Sequence, residues 1–219
     1  WSDTQNVPDV QIFDTSNNIW LEGTSTPNNG IYKAFGASGT IVGDCIYYHG
    51  GVNGAIQFVA NSRMRRGCID PNDLTQIEWD SLDQSPGVDG YRSACMSYQD
   101  RMFWVGGGAT AYNFDALAYN GSGAVSPEQR ILTYYASYDL WEDAYGSPDP
   151  IMDLRGIAKV NDNQWIICGG IGDNREVLNS TYLLSYDESV SIQYQEELQW
   201  HIQERTVYFN ETMSDIKLM

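Results

Sequence analysis

The 219-residue sequence predicts an all-β protein built from a repeated four-stranded unit, and three observations predict it. Three apolar strands end in paired glycines, Gly50-Gly51, Gly106-Gly107 and Gly169-Gly170, spaced 56 and 63 residues apart. Four tryptophans, Trp20, Trp79, Trp141 and Trp200, recur at intervals of 59, 62 and 59. Ahead of each glycine pair a basic residue opens a strand of small residues. Arg92 and Arg155 each stand 14 residues before their pair, and Lys33 stands 17 before its own. Three different markers sharing a period of about 60 residues are the signature of a repeat architecture.

Taken in order, residues 1–28 hold the second half of a unit, with runs from Val7 to Asp14 and from Asn18 to Trp20. Complete units follow at 29–84, 85–148 and 149–203. In the middle one, β-type runs fall at 91–98, 101–107, 130–135 and 138–142, bounded by Gly, Asn, Asp or Pro turns. Tyr194, Leu198 and Ile202 also fit a helical spacing, but Leu198-Gln199-Trp200 matches the outer strand Ile77-Glu78-Trp79 better. Each marker has a physical use. A glycine pair ends a strand where a Cβ would clash with a close neighbour. A Trp offers a broad apolar face to the next unit, with its N–H free to reach a carbonyl.

Four strands per unit, with Arg, Gly-Gly, Tyr-Asp and Trp in that order, resemble the kelch repeat, which builds β-propellers. The resemblance covers nearly all of residues 1–203; Lys33 in place of Arg and Tyr135 in place of Asp are mild departures. The unit is longer than the kelch repeat of about 50 residues. The loops 52–61, 80–90 and 108–129 are therefore expected to be enlarged. About three and a half blades are visible, whereas propellers close with four to eight. An open arc would expose the apolar face of a terminal blade. With Trp1 rather than Met at the start, upstream blades are expected to belong to the protein beyond this sequence. The tail 204–219 resembles the start of the C-terminal sorting domain of proteins that Bacteroidetes export by type IX secretion. Tyr112-Asn113-Phe114-Asp115 and Tyr119-Asn120-Gly121-Ser122-Gly123 resemble loops of secreted kelch proteins from that phylum.

Composition narrows the partners. Twelve Lys+Arg against 29 Asp+Glu give a net charge of −17, without the basic stripe that nucleic acid requires. No uncharged apolar run approaches the roughly 18 residues of a membrane span. Cys45, Cys68, Cys95 and Cys168 form no C-x-x-C motif. They read as small buried strand residues, and the three pairings that four cysteines allow stay open.

The candidate ligand-binding residues are Lys33, Arg92 and Arg155, which the repeat places at equivalent points on the central rim. Three cations there would suit a carboxylate or sulfate, although such arginines also serve to bridge blades. In the 108–129 loop, Tyr112, Phe114 and Tyr119 are candidates for stacking on a sugar or a protein partner. His49 follows Tyr48, but the copper site of galactose-oxidase-type kelch propellers needs a second axial His, and His201 belongs to the periphery. Asp70, Asp73, Glu142, Asp143, Asp149, Asp153, Asp162 and Asp173 read as solvated loop carboxylates, without the EF-hand spacing of a Ca²⁺ loop. No cofactor, metal or catalytic residue is assigned. Arg63, Arg65 and Arg66 read as a solvated strand edge, with a partner-docking patch as the other reading.

These observations lead to a secreted or cell-surface kelch module that binds or scaffolds a protein or glycan. The resemblance also implies a sugar-modifying enzyme of the sialic-acid mutarotase kind, with a basic central pocket, since kelch propellers serve in that role. The third reading is a subunit of a surface or secretion assembly, completed by a partner chain.

Overall fold

A computed structural model describes residues 7–53, 59–87, 90–144, 149–154, 157–186 and 208–210. Every regular element among them is a strand, and none of their segments is a helix long and apolar enough to cross a membrane. A two-stranded pair, β1 (Val10–Asp14) and β2 (Ile19–Gly23), begins the chain. The second blade has strand order β3 (Ser38–Val42), β4 (Cys45–His49), β7 (Arg63–Asp70) and β8 (Asp73–Gln84). Its β4–β7 connection carries a small hairpin of β5 (Val52–Asn53) and β6 (Val59–Ala60). The third blade runs β9 (Ala94–Tyr98), β10 (Arg101–Val105), β11 (Ile131–Tyr135) and β12 (Leu140–Ala144), all antiparallel.

The fourth blade runs β13 (Ile157–Asn161), β14 (Gln164–Cys168), β15 (Thr181–Ser185) and β16 (Tyr208–Asn210). The repeat had placed this blade's outer strand at Leu198–Trp200, which lies outside the described residues. The sheet instead includes β16, beyond the expected boundary at 203, through pairs such as Leu184 with Phe209.

Strand alternation explains how the blades stack. Successive side chains of a strand point to opposite faces, so β10 sends Met102 and Trp104 one way and Phe103 and Val105 the other. Met102 and Trp104 join Tyr47, Met64 and Tyr134 in a core between blades two and three. Phe103 and Val105 join Trp165, Ile167 and Leu184 between blades three and four. A strand buried on both faces must be apolar throughout, and Arg101–Val105 is apolar after its first residue.

The tryptophans lock neighbours as their indole N–H suggested. Trp79 donates to Thr24 O at 2.8 Å, Trp141 to Asp83 O at 3.3 Å and Trp104 to Ser38 O at 3.1 Å. Inner strands meet through Ser38–Ser93 and Thr40–Ser97 hydroxyl pairs at 3.1 and 3.0 Å. On the β1–β2 pair, by contrast, Trp20 stacks only on Phe13 among the described residues and is 67% exposed.

Two expectations need correction. Cys45 and Cys68 are not free core residues but a disulfide, joining directly paired positions of β4 and β7. Their Cα atoms are 4.0 Å apart, the shorter kind of antiparallel pair. Cys95 is free and buried, whereas Cys168 is free and exposed. The Arg63–Arg66 run is not a strand edge, because β7 lies between β4 and β8. Arg65 is fully buried, donating to Ile31 O and Gly50 O with its guanidinium over the Tyr48 ring, and Arg66 makes an ion pair with Asp80.

Candidate functional site

The candidate site is the face of the blades where the Gly-Gly turns and the inter-blade connections meet. Isolated bridges define equivalent points there: Phe35 pairs with Val52, Tyr91 with Gly108 and Met152 with Ile171. The residue after each inner member is Gly36, Arg92 or Asp153, and all three have positive φ, at 75°, 55° and 59°. The register therefore aligns Arg92 with Gly36 and Asp153. Lys33 sits two residues ahead of the Phe35 bridge, half-buried, and Arg155 lies outside the described residues. A left-handed residue at this same point in blades two, three and four is a backbone feature that residue spacing alone could not reveal.

That position ties blade to blade. Arg92 N donates to Gly36 O at 2.9 Å, and Leu154 N donates to Arg92 O at 3.0 Å. A Cβ on Gly36 would stand 2.2 Å from the Tyr91 ring, so glycine is required where blade three closes on blade two. The Arg92 side chain reaches the equivalent residue of blade four, pairing with Asp153 at 3.2 Å, the two being 13% and 21% exposed. Its guanidinium also lies 4.9 Å from the Tyr91 ring centroid and 5.1 Å from that of Tyr112. A cation held by a carboxylate and two aromatic faces is an inter-blade clamp.

A double-mutant cycle tests the clamp. Arg92→Ala is expected to lower stability by about 2 kcal/mol, less than for a fully buried pair because both partners are partly wet. Arg92→Ala in an Asp153→Asn background should cost at least about 1 kcal/mol less. Additive effects in urea denaturation would refute the pairing.

The long loop after Gly107 also differs from a set of presented aromatics. Tyr112 is fully buried, edge-on to Tyr91 at 5.1 Å. With Ala111, Ala116, Ala118 and Val125 it packs on Val52, Met152 and Ile171, forming a third core that draws on three blades. Burial, reinforced by the Asp153 charge, pushes the Tyr112 phenol well above its ordinary range. The loop's tip points outward: Phe114 is 85% exposed and Tyr119 is 42% exposed. The tip is ordered by Asn113, whose Oδ1 accepts the N–H groups of Asp115 and Leu117 at 2.9 and 3.0 Å. Bridges Tyr112–Ala118 and Leu117–Ala124 close it as a hairpin.

His49 is buried against Trp104 and Trp141, at centroid distances of 5.4 and 4.9 Å. Its Nε2 lies 3.1 Å from Ser62 O and 2.9 Å from Ser85 Oγ. Burial, with the charge of Arg65 and then Arg130 acting the same way, pulls its pKa down to about 3. This is a packed core histidine. Among the described residues no group of three or more His, Cys, Asp or Glu is placed to hold a metal ion.

The enlarged loops of blade two leave a cleft of about 320 Å³, with Asn29, Asn53, Ser62, Arg63 and Gln84 in its lining. Of these, the sequence had singled out Arg63 alone, as part of a partner-docking patch and not of a small-ligand site. Their signal was the surplus length of the 52–61 and 80–90 loops.

No family model matches the chain, and no curated protein matches it either. Among solved structures, that of YjhT is similar over 83% of this chain, with a TM-score of 0.64 and 15% identity. The fold is a kelch-type β-propeller. The chain spans about half of YjhT, 50% of its length, so the likeness carries architecture and not activity.

Proposed function

We propose that the chain is part of a secreted or cell-surface propeller that binds a protein or glycan through the loops of one face. The observation that carries this is Phe114, a large apolar side chain exposed at the tip of a hairpin whose base is buried in a core shared by three blades. Such a residue is already ordered before a partner arrives, so little entropy is lost on contact, and an aromatic ring stacks equally well on a sugar or a protein surface. The Cys45–Cys68 disulfide supports an oxidising compartment, and export by the type IX route belongs to the same proposal. The mutarotase-like reading is weakened by the Arg92–Asp153 pair, which occupies the best-placed rim cation.

A glycan array and a displayed protein library provide the test. Phe114→Ala is expected to weaken recovered ligands at least tenfold while leaving thermal stability within about 0.5 kcal/mol. Unaltered binding of every recovered ligand would end this reading. The exposed Trp20 face favours a second reading, a subunit whose β1–β2 pair packs against another blade. The mass of the native assembly separates the two.

A further inference from the structure

We propose that the blade-two cleft binds a monosaccharide-sized polyol carrying a carboxylate, of which a hexuronate is the simplest example. The cleft's volume of about 320 Å³ suits a single sugar ring, at the lower end of small-ligand pockets of about 300–1,000 Å³. In a protein of net charge −17, no acidic residue lines it among the described residues, and Arg63 supplies a cation. That local inversion of charge favours an anion, and a planar guanidinium matches a carboxylate in two-pronged fashion.

The remaining lining groups are each anchored at one end and open at the other. Asn29 Oδ1 accepts the Ile31 N–H at 2.9 Å, which leaves its amide N–H groups without a partner among the described residues. Asn53 Nδ2 donates to Gly30 O at 2.9 Å, and its Oδ1 has no partner among the described residues. Arg63 uses one guanidinium N–H on Leu82 O at 3.3 Å, and the others meet no acceptor among the described residues. Ser62 and Gln84 add a hydroxyl and an amide that each donate and accept. Hydroxyl groups of a sugar ring need such a mixture of donors and acceptors, whereas a simple inorganic anion needs donors only.

The walls are held before any ligand binds. Gly30 O accepts the Asn53 and Asn61 amides, and Ile31 O accepts Asn61 Nδ2 and the buried Arg65 Nε, all within 2.8–3.0 Å. A cleft built this way loses little freedom on binding. This site is separate from the Phe114 hairpin and does not depend on it.

Calorimetric and NMR titrations of the chain with sodium glucuronate, glucose and sodium chloride at matched ionic strength provide the test. Glucuronate is expected to bind saturably, with glucose at least tenfold weaker. Arg63→Gln is expected to weaken glucuronate at least tenfold, Gln84→Ala at least threefold, and Phe114→Ala not at all. No saturable glucuronate binding, or equal binding by Arg63→Gln and Gln84→Ala, overturns the site. Equal affinity for glucose overturns the carboxylate, and a response reproduced by sodium chloride reduces the effect to general screening.

Discussion

Gly106→Ala is expected to destabilise the protein by about 4 kcal/mol, whereas Gly43→Ala should cost only about 1 kcal/mol. Both glycines have positive φ, 62° and 58°, so the left-handed penalty is common to them. Space is the difference. A Cβ on Gly106 would stand 2.1 Å from the carbonyl oxygen of Ile151, and a Cβ on Gly43 would meet nothing within 4 Å. The obstacle at Gly106 is backbone, which cannot rotate away. It is moreover the same carbonyl that accepts the Gly107 N–H at 2.9 Å, one of the links between blades three and four. Urea midpoints for the two variants check this directly. Similar shifts would mean that the glycine pair serves only backbone conformation and not the close approach of blades.

The second large effect is acid sensitivity through His49. Its folded pKa of about 3 lies below the ordinary 6.5, so between these values the unfolded chain holds the proton and the folded chain does not. Stability therefore falls as pH drops below about 6.5 and continues to fall until about pH 3. The loss is about 2 kcal/mol at pH 5 and approaches 5 kcal/mol near pH 3, at about 1.4 kcal/mol per unit. The structural cause is plain. With Nε2–H directed to Ser62 O, a second proton would go on Nδ1, which is buried without a partner among the described residues, beside the positive charges of Arg65 and Arg130. His49→Gln should flatten the stability profile between pH 7 and pH 5 by about 2 kcal/mol. Parallel profiles for wild type and variant would show that His49 is not the group responsible.

Much of this architecture was legible in the residues. The runs expected at 91–98, 101–107, 130–135 and 138–142 appear as β9 to β12 with boundaries shifted by no more than three residues at either end. Gly-Gly turns and Trp residues declared themselves because their reasons are local, a missing Cβ and a broad ring with one N–H. The rim was less legible. Lys33, Arg92 and Arg155 seemed equivalent by count, but the bridges of blade four place Asp153 at the Arg92 position. Spacing cannot detect the two extra residues that separate the Met152 bridge from Ile157, compared with Tyr91 and Ala94. Tyr112 and Phe114, two positions apart in one polar loop, went to opposite fates, one fully buried and one 85% exposed. Composition has no term for which side of a hairpin meets a neighbouring blade.

Sequence by itself determined the all-β class, the four-stranded unit, its period and the residues that let units stack, because repetition and alternation are properties of order along the chain. Only the tertiary structure decided that Cys45 pairs with Cys68, that Arg65 is interior, that Arg92 clamps Asp153 and that blade two opens a polar cleft. Each of those outcomes joins residues from 15 to 61 positions apart, through distances that become short only when the strands are paired and the blades are stacked.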